Sequence, residues 1–382
     1  MSPSTAIQTA LARSEQLSTR IAFFIAGFAL AAWAPLVPYV KLRAGLDDGQ
    51  LGILLLCLGL GSLVAMPISG ALAGRLGCRD VLVASSAMIV VALPLLATLT
   101  HPVLLALALV LFGGGIGSVD CVINMQAVIV ERASGKSMMS GFHGLWSVGG
   151  IVGSAGVSAL LGLGASTLLA AVSVVICLLI ALVIATPHFL TQPGDSHGAG
   201  WVIPRGSVLF IGGLCFILFM TEGSVLDWSA VFLTQVRGVD PAHAGLGFTA
   251  FSITMTAGRL FGDSIVRRVG GSKVMILGGL CAATGFAMAT IVPFWPAALI
   301  GYALVGAGCA NIVPVLFTAV GRQKSMPEAI AVPAVTTIGY AGILLGPALI
   351  GLISQATSLT AALLILAVLL LGVAASAKAL KF

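Results

Sequence analysis

Two carboxylates lie within one apolar stretch that is long enough to cross a lipid bilayer. Glu222 and Asp227 fall inside residues 207–235, which contain no Lys or Arg. A charged side chain at the bilayer centre costs about 3 kcal/mol or more, so an acid at this depth indicates a functional site. Removal from water disfavours the charged form of a carboxyl group, which lets it take up and release a proton. Both acids are therefore candidates for proton coupling, and the alternative is a structural acid bonded to neighbouring helices.

The two acids are predicted to face different directions. At about 1.5 Å per residue, Glu222 lies near the middle of its span, and Asp227 lies in the outer half, turned by about 140° around the helix. One of them can line a cavity while the other contacts a neighbouring helix. We expect Glu222 to be the leading proton carrier.

A second polar group lies on the fourth predicted span. Asp120, Asn124 and Glu131 stand at i, i+4 and i+11, on one face of a helix, and Gln126 points elsewhere. Because a polar stripe facing lipid is costly, this face is predicted to meet protein or water. Asp120 is a candidate for both solute and proton binding. Glu131 and Arg132, near the inner end, are interpreted as a gating pair or as interfacial anchors.

Other residues are candidate ligands or gates on weaker grounds. His143 titrates near neutrality in isolation and can join a proton path, although a helix-contact histidine is the favoured alternative. Arg259 and Asp263 stand at i, i+4, a spacing that permits an ion pair of structural or gating type. The residues proposed to stack on or hydrogen-bond a polar solute are Trp33, Gln126, Asn124, Trp146, Asn311 and Tyr340.

The composition identifies the class of protein. Of the 382 residues, 59% are hydrophobic and only 8% are charged, and the mean hydropathy is +1.15. Soluble domains carry about 25% charged residues, so this is a membrane protein. The net charge of +6 comes without a basic cluster, which argues against nucleic-acid binding. The scattered cysteines show no metal spacing, and no nucleotide loop, hydrolase elbow or zinc-protease motif is present, so we expect no enzyme, cofactor or metal site.

The apolar stretches predict twelve membrane-spanning helices in two halves. A span needs roughly 20 residues. A polar connection at residues 187–206 separates six spans in residues 1–186 from six in residues 207–382, a predicted N-terminal bundle, cytoplasmic linker and C-terminal bundle. The spans fall in residues 21–40, 51–74, 81–119, 137–194, 207–235, 245–266, 274–321 and 329–377, of which 81–119, 137–194, 274–321 and 329–377 each divide into two.

Lys and Arg residues predict the orientation. Loops on the side of the N-terminus hold most of them, and Lys41, Arg43 and Arg237 are the loop residues that fall on the other side. Since positive loops stay in the cytoplasm, both termini are predicted to be cytoplasmic.

The two halves also repeat. Residues 70–79 (GALAGRLGCR) resemble residues 262–270 (GDSIVRRVG), and residues 111–120 resemble residues 304–311, with Asp120 opposite Asn311. Parallel repeats of this kind are a transporter architecture with the site near the membrane midplane.

Gly70, Arg75, Gly77 and Arg79 resemble the loop motif of the major facilitator superfamily, G-x-x-x-D-R-x-G-x-R, with Gly74 where that family usually has Asp. Three further motifs resemble its fucose-permease-like and rhizopine-transporter-like branch: residues 120–132, residues 141–150 (GFHGLWSVGG) and residues 222–228 (EGSVLDW).

This resemblance implies an all-α membrane protein with the twelve-helix major facilitator fold. It also implies secondary active transport by alternating access, coupled to protons, of a small polar organic solute of sugar or polyol type. The alternatives are proton-driven efflux of amphipathic drugs and a non-transporting receptor. The expected location is a bacterial cytoplasmic membrane, where the chain acts as a monomer. We expect Arg75, Arg79, Arg267 and Arg268 to form gating charges at the inner rim.

Overall fold

The computed structural model describes residues 3–134, 138–191, 205–326 and 328–380, and in these ranges the regular structure is helical. Contacts divide the chain into two compact units. The first unit consists of Met1–Leu36 and Cys57–His197, and the second consists of Val37–Leu56 and Gly198–Phe382. The segment Val37–Leu56 thus groups with the second unit, although it precedes the polar connection in the sequence. The predicted division into two six-helix bundles at residues 187–206 stays a prediction.

Helices of the first unit begin with a long span that ends near two prolines. Pro35 lies in the 3-10 turn Ala34–Leu36, and Pro38 lies in the next helix. Proline fixes φ and has no N–H to donate to a helix ladder, which explains the interruption between α1 and α2. The helices of the N-terminal half are α1 Pro3–Ala31, α2 Val37–Ala44, α3 Asp48–Leu76, α4 Cys78–Thr98, α5 Pro102–Ser134, α6 Met139–Gly162 and α7 Thr167–Ala185.

Helices of the second unit include α2 and the start of α3 together with those of the C-terminal half. The latter are α8 Ser207–Gln235, α9 Leu246–Leu260, α10 Gly262–Val269, α11 Gly271–Ile291, α12 Trp295–Cys309, α13 Ile312–Arg322, α14 Glu328–Ala356 and α15 Leu359–Ser376.

The number of spans differs from the prediction at one place. Eleven helical stretches of the described chain are long and apolar enough to cross a membrane, and residues 245–266, predicted as one span, form the shorter helices α9 and α10. Asn311 Nδ2 donates to the Gly258 carbonyl at 3.1 Å. A side chain that takes a carbonyl out of the helix ladder is a recognised cause of a break. The same asparagine lies between α12 and α13, where Pro314 has no N–H to offer the Ala310 carbonyl.

The repeat seen in the sequence is present in the packing inside each unit. α1 packs against α6, and α8 packs against α14. Both contacts need a glycine: a Cβ at Gly149 would lie 2.1 Å from the Phe24 carbonyl oxygen, and a Cβ at Gly342 would lie 2.2 Å from that of Phe216. Small residues permit this close backbone approach between membrane helices. Equivalent helix pairs therefore form the core of each unit.

Candidate functional site

Glu222 and Arg259 form an ion pair between α8 and α9 of the second unit. Arg259 Nη2 donates to Glu222 Oε1 at 3.0 Å and to Oε2 at 3.2 Å. Glu222 lies near the middle of α8, and Arg259 lies in the last turn of α9. The Glu222 side chain is 19% exposed and that of Arg259 is 36% exposed. The pair therefore joins two apolar helices and is only partly buried.

Arg259 contacts a partner that its spacing along the helix does not suggest. The i, i+4 pattern indicates Asp263, whose side chain lies outside the described residues. The guanidinium contacts Glu222, 37 residues away in the chain. Spacing along one helix identifies only local pairs, so it cannot reveal a pair between helices.

The surroundings of this pair involve three further predicted residues. Asp227, on the same helix as Glu222, is only 7% exposed. Asn311 is also buried, and its side-chain amide donates to the carbonyl of Gly258, the residue before Arg259. The half-buried Tyr340 lies against Phe219, one turn before Glu222, with ring centroids 5.8 Å apart. Glu222 is therefore the more accessible of the two acids of α8, and an aromatic ring lies one turn away.

In the first unit, the side-chain amides of Asn124 and Gln126 on α5 form hydrogen bonds within the protein. Gln126 is fully buried, donates to Thr19 Oγ1 at 2.9 Å and accepts from the Leu190 backbone N–H at 3.2 Å. Asn124 Nδ2 donates to the backbone carbonyl of Asp120 at 2.8 Å. Gln126 thus ties α5 to α1 and to the chain after α7, while Asp120 and Asn124 remain half-buried on one face.

Glu131 contacts the chain just before α6. Its Oε2 accepts from the backbone N–H of Met138 at 2.6 Å, just before α6. The side chain of Arg132 lies outside the described residues.

Aromatic candidates of the first unit differ in accessibility. Trp33 is completely buried and packs against Phe112 with ring centroids 6.4 Å apart. Trp146 is half-buried, and His143 is exposed, with its ring edge-on to Phe23 at 5.1 Å. The side chains of Trp146 and His143 are therefore at least partly exposed, whereas Trp33 forms part of the core.

The predicted gating arginines are exposed. Arg75 and Arg79 flank the α3–α4 junction, and Arg267 and Arg268 lie in the last turn of α10. Arg267 Nη2 also donates to Ser264 Oγ at 3.2 Å. Exposure at helix ends is compatible with a rim position.

A second ion pair was missed by the sequence analysis. In the second unit, Lys41 Nζ contacts Asp48 Oδ1 and donates to Gln235 Oε1 at 2.7 Å, and Ser354 Oγ donates to Asp48 Oδ2. This polar cluster joins α2, α3, α8 and α14. The sequence predicts Lys41 to be an outer loop charge. The one signal for the pair is a lysine and an aspartate seven positions apart at the ends of two apolar runs.

Two repeated helical units, with a charged pair inside apolar helices, define a polytopic membrane protein of the transporter type. Residues 20–240 match the Major Facilitator Superfamily. An uncharacterized MFS-type transporter of Yersinia pestis is 54% identical over 367 residues, which cover 96% of this chain and 96% of that protein. Membrane protein MosC of Rhizobium meliloti is 32% identical over 90% of this chain and 84% of its own length. The chain belongs to the major facilitator superfamily, and the resemblance seen in its motifs is confirmed.

Solved structures confirm the fold. The nucleoside transporter NupG superimposes with a TM-score of 0.75 at 18% identity, covering 96% of this chain and 98% of that one. A D-xylose-proton symporter superimposes with a TM-score of 0.72 at 14% identity, covering 95% and 96%. At these identities the likeness concerns the fold alone, which is the major facilitator fold.

Proposed function

We propose that this transporter couples the movement of a small polar organic solute, of sugar or polyol type, to protons, with Glu222 as the proton carrier. The observation that carries the proposal is the Glu222–Arg259 pair, held between two apolar helices and partly open to its surroundings. Two proteins that share this fold are named as a nucleoside transporter and a D-xylose-proton symporter, so the fold is compatible with a polar solute and with proton coupling.

Arg259 and a proton compete for the same carboxylate, that of Glu222. When Glu222 is charged, it accepts two charge-assisted hydrogen bonds from Arg259. When Glu222 binds a proton, the electrostatic part of that attraction is lost and the guanidinium is released. Arg259 can then donate to a hydroxyl group of the solute. Alternate occupation by proton and by Arg259 links the charge of Glu222 to the conformation of its helices.

Each unit holds further groups that suit such a solute. In the second unit, Tyr340 supplies an aromatic face near Glu222. In the first unit, the half-buried Asp120 and Asn124 supply acceptors and donors, and His143 and Trp146 are accessible side chains of α6. Hydroxyl-rich solutes suit groups of this kind, because each hydroxyl group both donates and accepts.

The test compares two transport modes in proteoliposomes containing the purified protein. Glu222→Gln should abolish proton-driven accumulation and keep exchange without a gradient, since Gln has the shape of the protonated acid and cannot release a proton. Asp120→Asn should weaken both modes if Asp120 binds the solute. Asp80→Asn, which alters an exposed acid in the first turn of α4, is the matched control and should change neither.

Solutes for this assay come from a ligand-stabilisation screen of sugars, polyols and amphipathic drugs, because a bound ligand raises the melting temperature. Normal proton-driven uptake by Glu222→Gln would exclude Glu222 as the carrier. If only amphipathic drugs form concentration gradients, the function is drug efflux and not transport of a sugar or polyol. Absence of flux for every stabilising ligand would favour a receptor.

The orientation and location are part of the proposal. The Lys and Arg pattern supports cytoplasmic termini in a bacterial cytoplasmic membrane, and the protein is proposed to act as a monomer. A compartment-sensitive reporter fused after Phe382 should give a cytoplasmic signal. An external signal would contradict this topology.

A further inference from the structure

An apolar groove opens between α9–α10 and α11 of the second unit. Its volume is about 480 Å³. Phe261 and Leu277 are exposed beside it, as expected for side chains that face lipid. Its three hydrogen-bonding side chains are used by the protein, because Thr254, Cys281 and Asn311 each donate to a backbone carbonyl, those of Ala303, Leu304 and Gly258. The groove therefore suits a hydrocarbon chain better than a polar solute. Its apolar lining includes Ala257, Phe261, Val269, Val274, Leu277 and Ala307.

Positive charge borders one end of this groove. Arg267 and Arg268 end α10, and Lys273 lies in the first turn of α11, and all three are exposed. Residues 262–273 contain one acid, Asp263. The lining residues Val269 and Val274 stand beside these cations in the chain, so an apolar slot and a basic patch adjoin. A ligand with an anionic head and an apolar tail matches both.

The corresponding corner of the first unit is covered by the chain itself. Gly77 and Gly270 occupy matching positions after the basic motif, with φ of 87° and 85°. The Arg79 backbone N–H donates to the Leu190 carbonyl at 2.9 Å, and a Cβ at Gly77 would collide with the backbone of Thr191. At Gly270, no described atom lies within 4 Å of such a Cβ. Among the described residues, the repeat thus leaves open in the second unit a surface that the first unit covers.

We propose that this groove binds an anionic phospholipid of the surrounding membrane. One acyl chain lies between α9–α10 and α11, and the phosphate contacts Arg267, Arg268 and Lys273. Basic pockets between membrane helices recognise anionic headgroups. In this proposal, a lipid that occupies both the groove and the basic patch holds the short helix α10 in place. The proposal does not depend on which solute is transported.

Lipid titration of the purified full-length protein in a neutral detergent, followed by native mass spectrometry, tests this site. The probes are phosphatidylglycerol and, as the zwitterionic reference, phosphatidylcholine. Arg267→Gln with Arg268→Gln should weaken phosphatidylglycerol binding by about 30-fold, from roughly 1 kcal/mol for each charge. Ala307→Phe fills the groove at an exposed position and keeps every charge, and it should weaken binding as well.

The matched control removes the same number of charges from the equivalent motif of the first unit. Arg75→Gln with Arg79→Gln should leave phosphatidylglycerol binding within about twofold of the parent protein, since a twofold change is less than about 1 kcal/mol. An equal loss in this control would show a general effect of net charge and overturn the site. Unchanged binding in Ala307→Phe, with a normal melting temperature, would also overturn it because the groove would hold no chain.

Discussion

Two ion pairs of the second unit contain the same types of charge in different surroundings. Lys41 and Asp48 are 7% and 18% exposed, and Gln235 and Ser354 provide further hydrogen bonds to them. Glu222 and Arg259 are 19% and 36% exposed, and a single guanidinium nitrogen serves both carboxylate oxygens. The first pair is enclosed in a polar network, whereas the second remains accessible to competitors.

Under the proposed function, this difference in surroundings distinguishes a structural ion pair from a functional one. Burial of a pair is costly unless further hydrogen bonds satisfy it, and removal of one partner then leaves an uncompensated charge. The polar cluster meets that condition and holds Val37–Leu56 to α8 and α14. A pair whose cation is partly exposed contributes less to stability, so it can exchange partners at a small cost in folding free energy.

The largest expected effect comes from breaking the enclosed pair. Asp48→Leu leaves Lys41 buried beside Gln235, and the free energy of unfolding should fall by about 3 kcal/mol. Denaturation by sodium dodecyl sulfate in mixed micelles, followed by circular dichroism, measures the change.

The double variant Lys41→Met with Asp48→Leu is the control for this prediction. It replaces both charges with apolar side chains, and such replacement of a buried pair is often close to neutral. We expect it to recover most of the lost stability. A double variant as unstable as Asp48→Leu would show that shape, and not an uncompensated charge, determines the loss.

The architecture could be predicted from the sequence because its signals are local. Apolar runs of about 20 residues predict spans wherever they occur, and the glycine–arginine motifs mark the repeat. The break after Leu260 was not predicted, since residues 245–266 form one apolar run. It depends on Asn311, 53 residues from the Gly258 carbonyl that its amide contacts.

The candidate site was predicted by residue but not by pairing. A carboxylate in an apolar span is visible in the sequence, so Glu222 is identified directly. The i, i+4 spacing indicates only neighbours on one helix, so it suggests Asp263 as a partner of Arg259. The contact between Arg259 and Glu222 joins two helices and has no such signal in the sequence. The sequence predicts that Gln126 contacts solute. In the structure its side chain forms hydrogen bonds with Thr19 and Leu190. These bonds depend on contacts between three chain segments that lie far apart in the sequence.

The smallest expected effect on stability comes from breaking the accessible pair. Glu222→Gln removes the charge but keeps a side-chain oxygen that can accept from Arg259. Because Arg259 is 36% exposed and one of its nitrogens holds both carboxylate oxygens, the free energy of unfolding should change by less than about 1 kcal/mol. The same denaturation measurement on Glu222→Gln, Arg259→Gln and the double variant gives their coupling energy. We expect a small coupling energy together with complete loss of proton-driven accumulation. A coupling as large as the loss in Asp48→Leu would place Glu222 and Arg259 in the structural class, and the two pairs would no longer differ in role.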